Sequence, residues 1–322
     1  MTIDVLTWVA LFGGMLLLFF GGEILVRGAV GLAQKLGVSP LLIGATVVAF
    51  GTSAPELVVS IDAAIQGVVD VAIGNVFGSN LANLLLILGI SVALTPIIVE
   101  PKFVRRDSAA LLLTTIAVVG LAFLMEIPWY LGLIMILVLI AHVTYGYWKE
   151  RNLKSHKVSI PTDLYQNLNV EYKEKPIWLS SFYLFLGILG VIFGAHFLVD
   201  SGTNIARAVG ISEAVIGLTV VALGTSLPEL ATSIMAAIKR HGDVALGNIL
   251  GSSLFNILGI LGAVALVRPA PIPQEIVSLD LWILLGVTLI VFLPVYVGWR
   301  LGRFFGILLL ILYIAYIVHH FM

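Results

Sequence analysis

Residues 43–62 read IGATVVAFGTSAPELVVSID and residues 216–235 read IGLTVVALGTSLPELATSIM, identical at 14 of 20 positions. A second pair lies at the same spacing: DVAIGNVFGSNLANLLLILG at 70–89 and DVALGNILGSSLFNILGILG at 243–262, identical at 13 of 20. One offset of 173 residues also carries Phe20 to Phe193 and Pro96 to Pro269 without a gap. Self-similarity at a fixed offset marks a chain built from two copies of one unit. Each copy places a glutamate, Glu56 or Glu229, directly after a proline in an otherwise apolar helical stretch. Proline has no N–H, and its ring clashes with the carbonyl four residues earlier, here at Gly51 or Gly224. Both helices should therefore break, releasing carbonyls within Ala49–Thr52 and Ala222–Thr225.

Composition sets the surroundings of these blocks. Of 322 residues, 60% are hydrophobic and 11% charged, against roughly 25% charged in a soluble domain. Mean hydropathy is +1.11, and apolar runs of about 20 residues, enough to cross ~30 Å of hydrocarbon, recur along the chain. The class is a polytopic helical membrane protein. Spans are expected near 5–34, 40–66, 71–95, 103–125, 128–148, 177–209, 212–238, 243–267, 276–297 and 302–321. Met1–Asp4 holds no basic residue and the run from Val5 has no small-residue cleavage signal, so it reads as the first span. The absence of cysteine excludes disulfides, thiolate metal sites and cysteine nucleophiles. Trp8, Trp129, Trp148, Trp178 and Trp299 fall near span ends, where interfacial anchors sit.

The one long polar stretch, 149–175, divides the chain into repeats 1–148 and 176–322, each of five spans. With the N-terminus outside, the inner face receives Arg27, Lys35, Lys102, Arg105, Arg106, six basic residues of the linker, Lys239, Arg240, Arg300 and Arg303. The outer face receives only Arg207 and Arg268. Excess Lys and Arg mark the cytoplasmic side, so both termini are expected outside and the linker in the cytosol. An odd number of spans per repeat turns the second copy upside down. Inverted repeats with interrupted helices characterise secondary transporters, whose sites lie near the midplane at the repeat interface. The rival to the transporter reading of the repeat is a duplicated structural membrane protein or a channel.

A carboxylate near the bilayer centre costs at least ~2.5 kcal/mol, which makes Glu56 and Glu229 functional candidates. Thr52, Ser53, Thr225 and Ser226 add hydroxyls on the same turns. In the second block, Ser79 and Asn83, with their mates Ser252 and Asn256, are four residues apart and share a helix face. Gly74, Gly78, Gly247 and Gly251 should admit a neighbouring helix closely. Asp70 and Asp243 read as N-caps of the third and eighth spans. The donors are all oxygen and amide, which suits hard cations such as Ca²⁺ and Na⁺. His142, His156, His241, His319 and His320 are scattered and form no ligand set.

G-T-S-x-P-E followed by G-N-x-x-G-S-x-x-x-N, present at 43–89 and again at 216–262, resembles the alpha repeats of the sodium/calcium exchangers in the cation/calcium exchanger superfamily. The resemblance implies ten transmembrane helices in two inverted five-helix repeats, with broken helices 2 and 7 at the core. It implies an antiporter, not an enzyme, that moves Ca²⁺ against Na⁺, electrogenically, with no cofactor and no protein partner. Carried over residue by residue, Glu56, Glu229, Thr52 and Thr225 would hold Ca²⁺. Ser53, Ser79 and the Ala49 carbonyl, and Ser226, Ser252 and the Ala222 carbonyl, would form flanking sodium sites, with Asn83 and Asn256 closing the middle. Spans 1 and 6, carrying Glu23, Arg27, His196 and Asp200, would correspond to the family's sliding gate helices. Potassium-dependent members carry an acid where this chain has Asn256, so potassium is not expected to be required. The short linker leaves no room for a calcium-sensing domain. Rival readings are a Ca²⁺/H⁺ antiporter of the same fold, whose usual acid in the G-N-x-x-E stretch is replaced here by Gly78 and Gly251, and a cation channel.

Overall fold

Thirty-two residues free of proline give α1 (Val5–Leu36), which begins where the Asp4 side chain accepts from the Leu6 N–H and ends at Gly37, whose φ of 69° needs glycine. The computed structural model describes residues 4–98, 101–122, 126–154, 176–209, 222–274 and 276–321. Next come α2 (Pro40–Thr52) and α3 (Ala54–Gln66), then α4 (Val69–Leu94). The first half closes with α5 (Pro101–Ala122), strand β1 (Glu126–Ile127) and α6 (Trp129–Lys154). The second half runs α7 (Ile177–Ala208), α8 (Ala222–Thr225), α9 (Leu227–Ile238), α10 (Gly242–Val267), strand β2 (Ala270–Pro271), α11 (Ile276–Val297) and α12 (Arg303–Phe321). The described chain is all-helical apart from the two short strands and the turns.

Helices overlie all ten expected ranges, the seventh only from Ala222 onward, because 212–221 lies outside the described residues. Among the described residues six helices are long and apolar enough to cross a membrane unaided: α1, α4, α6, α7, α10 and α11. The bent pair α2–α3 would make a seventh. The remainder fall short for visible reasons. Lys102, Arg105, Arg106 and Asp107 crowd the start of α5, α9 has 12 residues, and the apolar run of α12, Arg303–His319, stops short of 18.

α1 and α7 lie antiparallel with their backbones nearly touching. A Cβ built on Gly28 would sit 2.3 Å from Leu184 N, and one on Gly187 would sit 2.4 Å from Leu25 N. Gly14 and Gly21 meet the Gly194 and Gly190 backbone the same way, at 2.8 and 2.9 Å. Gly14, Gly21 and Gly28 recur every seven residues, and their offset mates are Gly187, Gly194 and Ser201. The small-residue seam is thus written in both copies. Across the halves, Gly247 and Gly251 admit α2, with a Cβ on either meeting the Leu41 or Ala45 carbonyl oxygen at 2.3 Å. Gly74 and Gly78 meet nothing within 4 Å among the described residues.

Two strand contacts tie loops of one half to the other. β1 pairs antiparallel with β2, Ile127 opposite Ala270, and Ile97 bridges Leu301 through two main-chain bonds of 3.0 Å. Ile97 and Ala270 are themselves offset mates.

Three local expectations are corrected. Asp70 and Asp243 are not N-caps: α4 and α10 start at Val69 and Gly242, which puts each acid in the first turn. There it still complements the positive end of the helix dipole. α6 continues to Lys154, past the expected end at 148, because Glu150 reaches back to the start of α2. Its carboxylate accepts from Ser39 N–H (2.7 Å) and Ser39 Oγ–H (2.9 Å). Gly74 and Gly78 are not close-packing positions, since a Cβ on either meets nothing within 4 Å among the described residues; His142 Nε2 lies 2.8 Å from the fully buried Asp107, which Arg106 also binds. Asp280, the offset mate of Asp107, is likewise buried.

Candidate functional site

The chain leaves the helix at Ser53 (φ −85°, ψ 9°) and again at Ser226 (φ −88°, ψ 5°), then restarts with Pro55 and Pro228 in the opening turns of α3 and α9. That is where proline is tolerated, because the first-turn N–H groups have no helical partner. The cost of the break is a bend of 46° between α2 and α3. The gain is that Glu56 and Glu229 sit in the first turn of a new helix, turned into the protein and 1% exposed.

The two serines at the breaks cross over between the halves. Ser53 Oγ–H donates to Glu229 Oε1 at 2.7 Å, and Ser226 Oγ–H donates to Glu56 Oε1 at 3.1 Å. Ser226 Oγ also lies 3.4 Å from Ser79 Oγ, which brings the third helical segment to the same point. The Ala49 carbonyl accepts from Ser53 N–H at 3.0 Å and faces the Thr52 hydroxyl at 3.4 Å. In the second half the Ser226 N–H turns to Leu223 O instead, at 3.2 Å, and α8 opens at Ala222. Thr225 follows at its end and is half-buried. Thr52, Ser53, Ser79, Asn83, Ser226, Ser252 and Asn256 are all buried.

Asn83 and Asn256 sit in matching π-helical turns, Ala82–Ile87 and Phe255–Ile260. A π turn inserts a residue and displaces one side chain from the regular face; such turns are frequent at functional sites. The four-residue Ser-to-Asn spacing therefore enters a widened turn in both copies, which no periodicity in the sequence announces.

Five buried acceptors in this set have no hydrogen-bond partner among the described residues: Glu56 Oε2, Glu229 Oε2, Asn83 Oδ1, Asn256 Oδ1 and Ser252 Oγ. Leaving such a group unsatisfied costs about 1–3 kcal/mol, more if it is charged. No basic side chain among the described residues pairs with either glutamate. One oxygen of each carboxylate, two amide oxygens and a hydroxyl, all unspent, match the oxygen-only coordination taken by Ca²⁺ and Na⁺. No group of three or more His, Asp or Glu placed to hold a metal ion is present among the described residues.

Sequence reading missed one pair. Asn75 and Asn248, offset mates in the G-N dipeptide, support the glutamate-bearing helices from behind. Asn75 Nδ2–H donates to Ser60 Oγ (2.9 Å) and to the Glu56 carbonyl (3.3 Å). Asn248 Nδ2–H donates to Ser233 Oγ (3.0 Å), and its Oδ1 accepts from Thr52 Oγ–H (3.2 Å). Their repetition at the 173-residue offset was the available signal.

Comparison with known proteins agrees with this geometry. Residues 6–148 and 179–322 match the family described as sodium/calcium exchanger protein. The sodium/calcium exchanger MaX1 of Methanosarcina acetivorans is 32% identical over 346 residues, covering 95% of each chain. The inner membrane protein YrbG of Escherichia coli is 33% identical over 302 residues, covering 92% of this chain and 91% of its own. A solved structure of the sodium-calcium exchanger NCX_Mj superposes with a TM-score of 0.84 at 32% identity, covering 99% of each chain. Buried paired carboxylates, matching helix breaks and these full-length likenesses lead to one conclusion: the chain is a membrane protein of the sodium/calcium exchanger family.

Proposed function

We propose that the protein is a secondary antiporter that exchanges Ca²⁺ for Na⁺ by alternating access, electrogenically and without potassium. Family membership supports the exchanger class. The observation that carries the finer reading is the reciprocal pairing of Ser53 with Glu229 and of Ser226 with Glu56. Each hydroxyl gives its single hydrogen to a carboxylate of the other half and keeps its lone pairs. A cation entering between the two glutamates would then find the unspent oxygens of both halves at once.

In this reading Thr52, Thr225, Glu56 and Glu229 hold Ca²⁺. The Ala49 carbonyl, Ser53 and Ser79, with the Ala222 carbonyl, Ser226 and Ser252, hold Na⁺, while Asn83 and Asn256 line the middle. Two ionised glutamates are neutralised by one Ca²⁺, so the calcium-loaded site carries little net charge across the membrane. Exchange against more than two Na⁺ then moves net charge. The frame is ten spans in two inverted repeats, 1–148 and 176–322, joined by a cytosolic linker at 149–175. The protein sits in the cell membrane with both termini outside, its only partners the two ions and surrounding lipid.

The test is radioactive calcium uptake into proteoliposomes, driven separately by sodium, potassium and proton gradients. Sodium alone should drive uptake, added potassium should leave it unchanged, and an imposed membrane potential should change its rate. Uptake that requires potassium, or that a proton gradient drives without sodium, would overturn the assignment.

A further inference from the structure

Thr52 and Ser53 are adjacent on the break of the first half, and both reach into the second half. Ser53 binds Glu229 directly. Thr52 binds Asn248, which binds Ser233, and Ser233 lies one helical turn beyond Glu229 on α9. The contacts close a ring: Thr52 to Asn248, to Ser233, along α9 to Glu229, to Ser53, and back to Thr52. Thr52, Ser53, Ser233 and Asn248 are fully buried within it, and Glu229 is 1% exposed.

The amide of Asn248 fixes the direction of proton donation around this ring. Its NH₂ can only donate, so it points to the Ser233 oxygen, which leaves its carbonyl oxygen facing Thr52. A threonine hydroxyl has one hydrogen and two lone pairs. With the hydrogen drawn toward Asn248, the lone pairs are left for an electrophile on the other side. Without that acceptor the hydroxyl hydrogen turns to the Ala49 carbonyl 3.4 Å away or to the neighbouring Glu229 carboxylate, and the lone pairs turn with it. We propose that Asn248 is a positioning residue for the cation site: it orients the Thr52 hydroxyl for calcium and couples that orientation to the helix carrying Glu229. The inference rests on the exchanger reading above and names a residue outside the proposed ligands.

The test is a double-mutant cycle between Asn248→Ala and Thr52→Val, read in two ways. Sodium-driven calcium uptake gives KM and kcat, and the calcium-dependent rise in melting temperature gives binding without transport. Asn248→Ala should raise the KM for calcium about tenfold and change kcat less than twofold. In the Thr52→Val background the same change should raise KM less than twofold further, because the hydroxyl it orients is gone. Thr52→Ser, which keeps the hydroxyl, should restore the full response to Asn248→Ala. If Asn248→Ala does not yield monodisperse protein, Ser233→Ala decides: it frees the amide from its other anchor and should raise KM only while Thr52 is present. Independent, multiplicative effects of the two substitutions, or an Asn248→Ala that lowers kcat alone, would overturn the inference. A wild type without sodium-driven uptake would overturn the exchanger reading itself, and the calcium-dependent melting shift would then still report on the ring.

Discussion

At the scale of single residues, the proposed site centres on two buried carboxylates that no basic group among the described residues answers. A charge held in that way is costly to keep and easy to remove. Glu56→Gln and Glu229→Gln should each abolish calcium uptake while leaving the melting temperature without calcium unchanged or a few degrees higher. Calcium at a hundred times its Kd should stabilise the wild type by about 2.7 kcal/mol and either variant by nothing. Differential scanning fluorimetry with and without calcium reads both outcomes, and wild-type uptake in either variant would remove the glutamates from the site. Both residues stood out in the sequence, because an acid after a proline recurs at one fixed offset in two apolar spans. Asn75 and Asn248 stood out less: a short polar residue beside a glycine looks like any close-packed helix position until its partners Ser60 and Ser233 are seen.

At the scale of elements, the sequence located most of the described helix ends to within a few residues, α6 excepted, and placed the breaks beside the prolines, since proline acts locally. What it could not show was how two elements approach. The seam between α1 and α7 depends on pairs of backbones 156 to 180 residues apart in sequence, and the π turns at Asn83 and Asn256 depend on neighbours rather than on local preference. The seam makes a prediction with its own control. Gly28→Ala would push a methyl group against the Leu184 backbone, which has no side-chain freedom with which to yield, and should destabilise the protein by about 1–3 kcal/mol. Gly13→Ala, one position away from the seam and with nothing within 4 Å, should be neutral or gain up to about 1 kcal/mol from helix propensity. Melting temperatures of the two variants measured side by side check this. Equal effects would mean that the seam does not hold the pair together.

At the scale of the whole molecule, charge placement makes a topological prediction that the lack of cysteine renders simple to test. A single cysteine at Ser155 should react with an impermeant thiol reagent only from the cytosolic side, and one at Gln66 only from outside. Labelling of both from one face would rule out the ten-span arrangement. The strand contacts bear on the same arrangement. Ile97 bridges Leu301, and Ile127 pairs with Ala270; in the proposed topology these fastenings lie on opposite faces of the membrane. Any motion that parted the two halves at their loops would have to break main-chain hydrogen bonds at one face or the other. A displacement of α1 and α7 together would break none of these main-chain bonds; it would part the side-chain ion pair that Glu23 makes with Lys239 (2.8 Å). In the proposed cycle the molecule would work like a cross-braced chassis, with the α1–α7 pair as the rails.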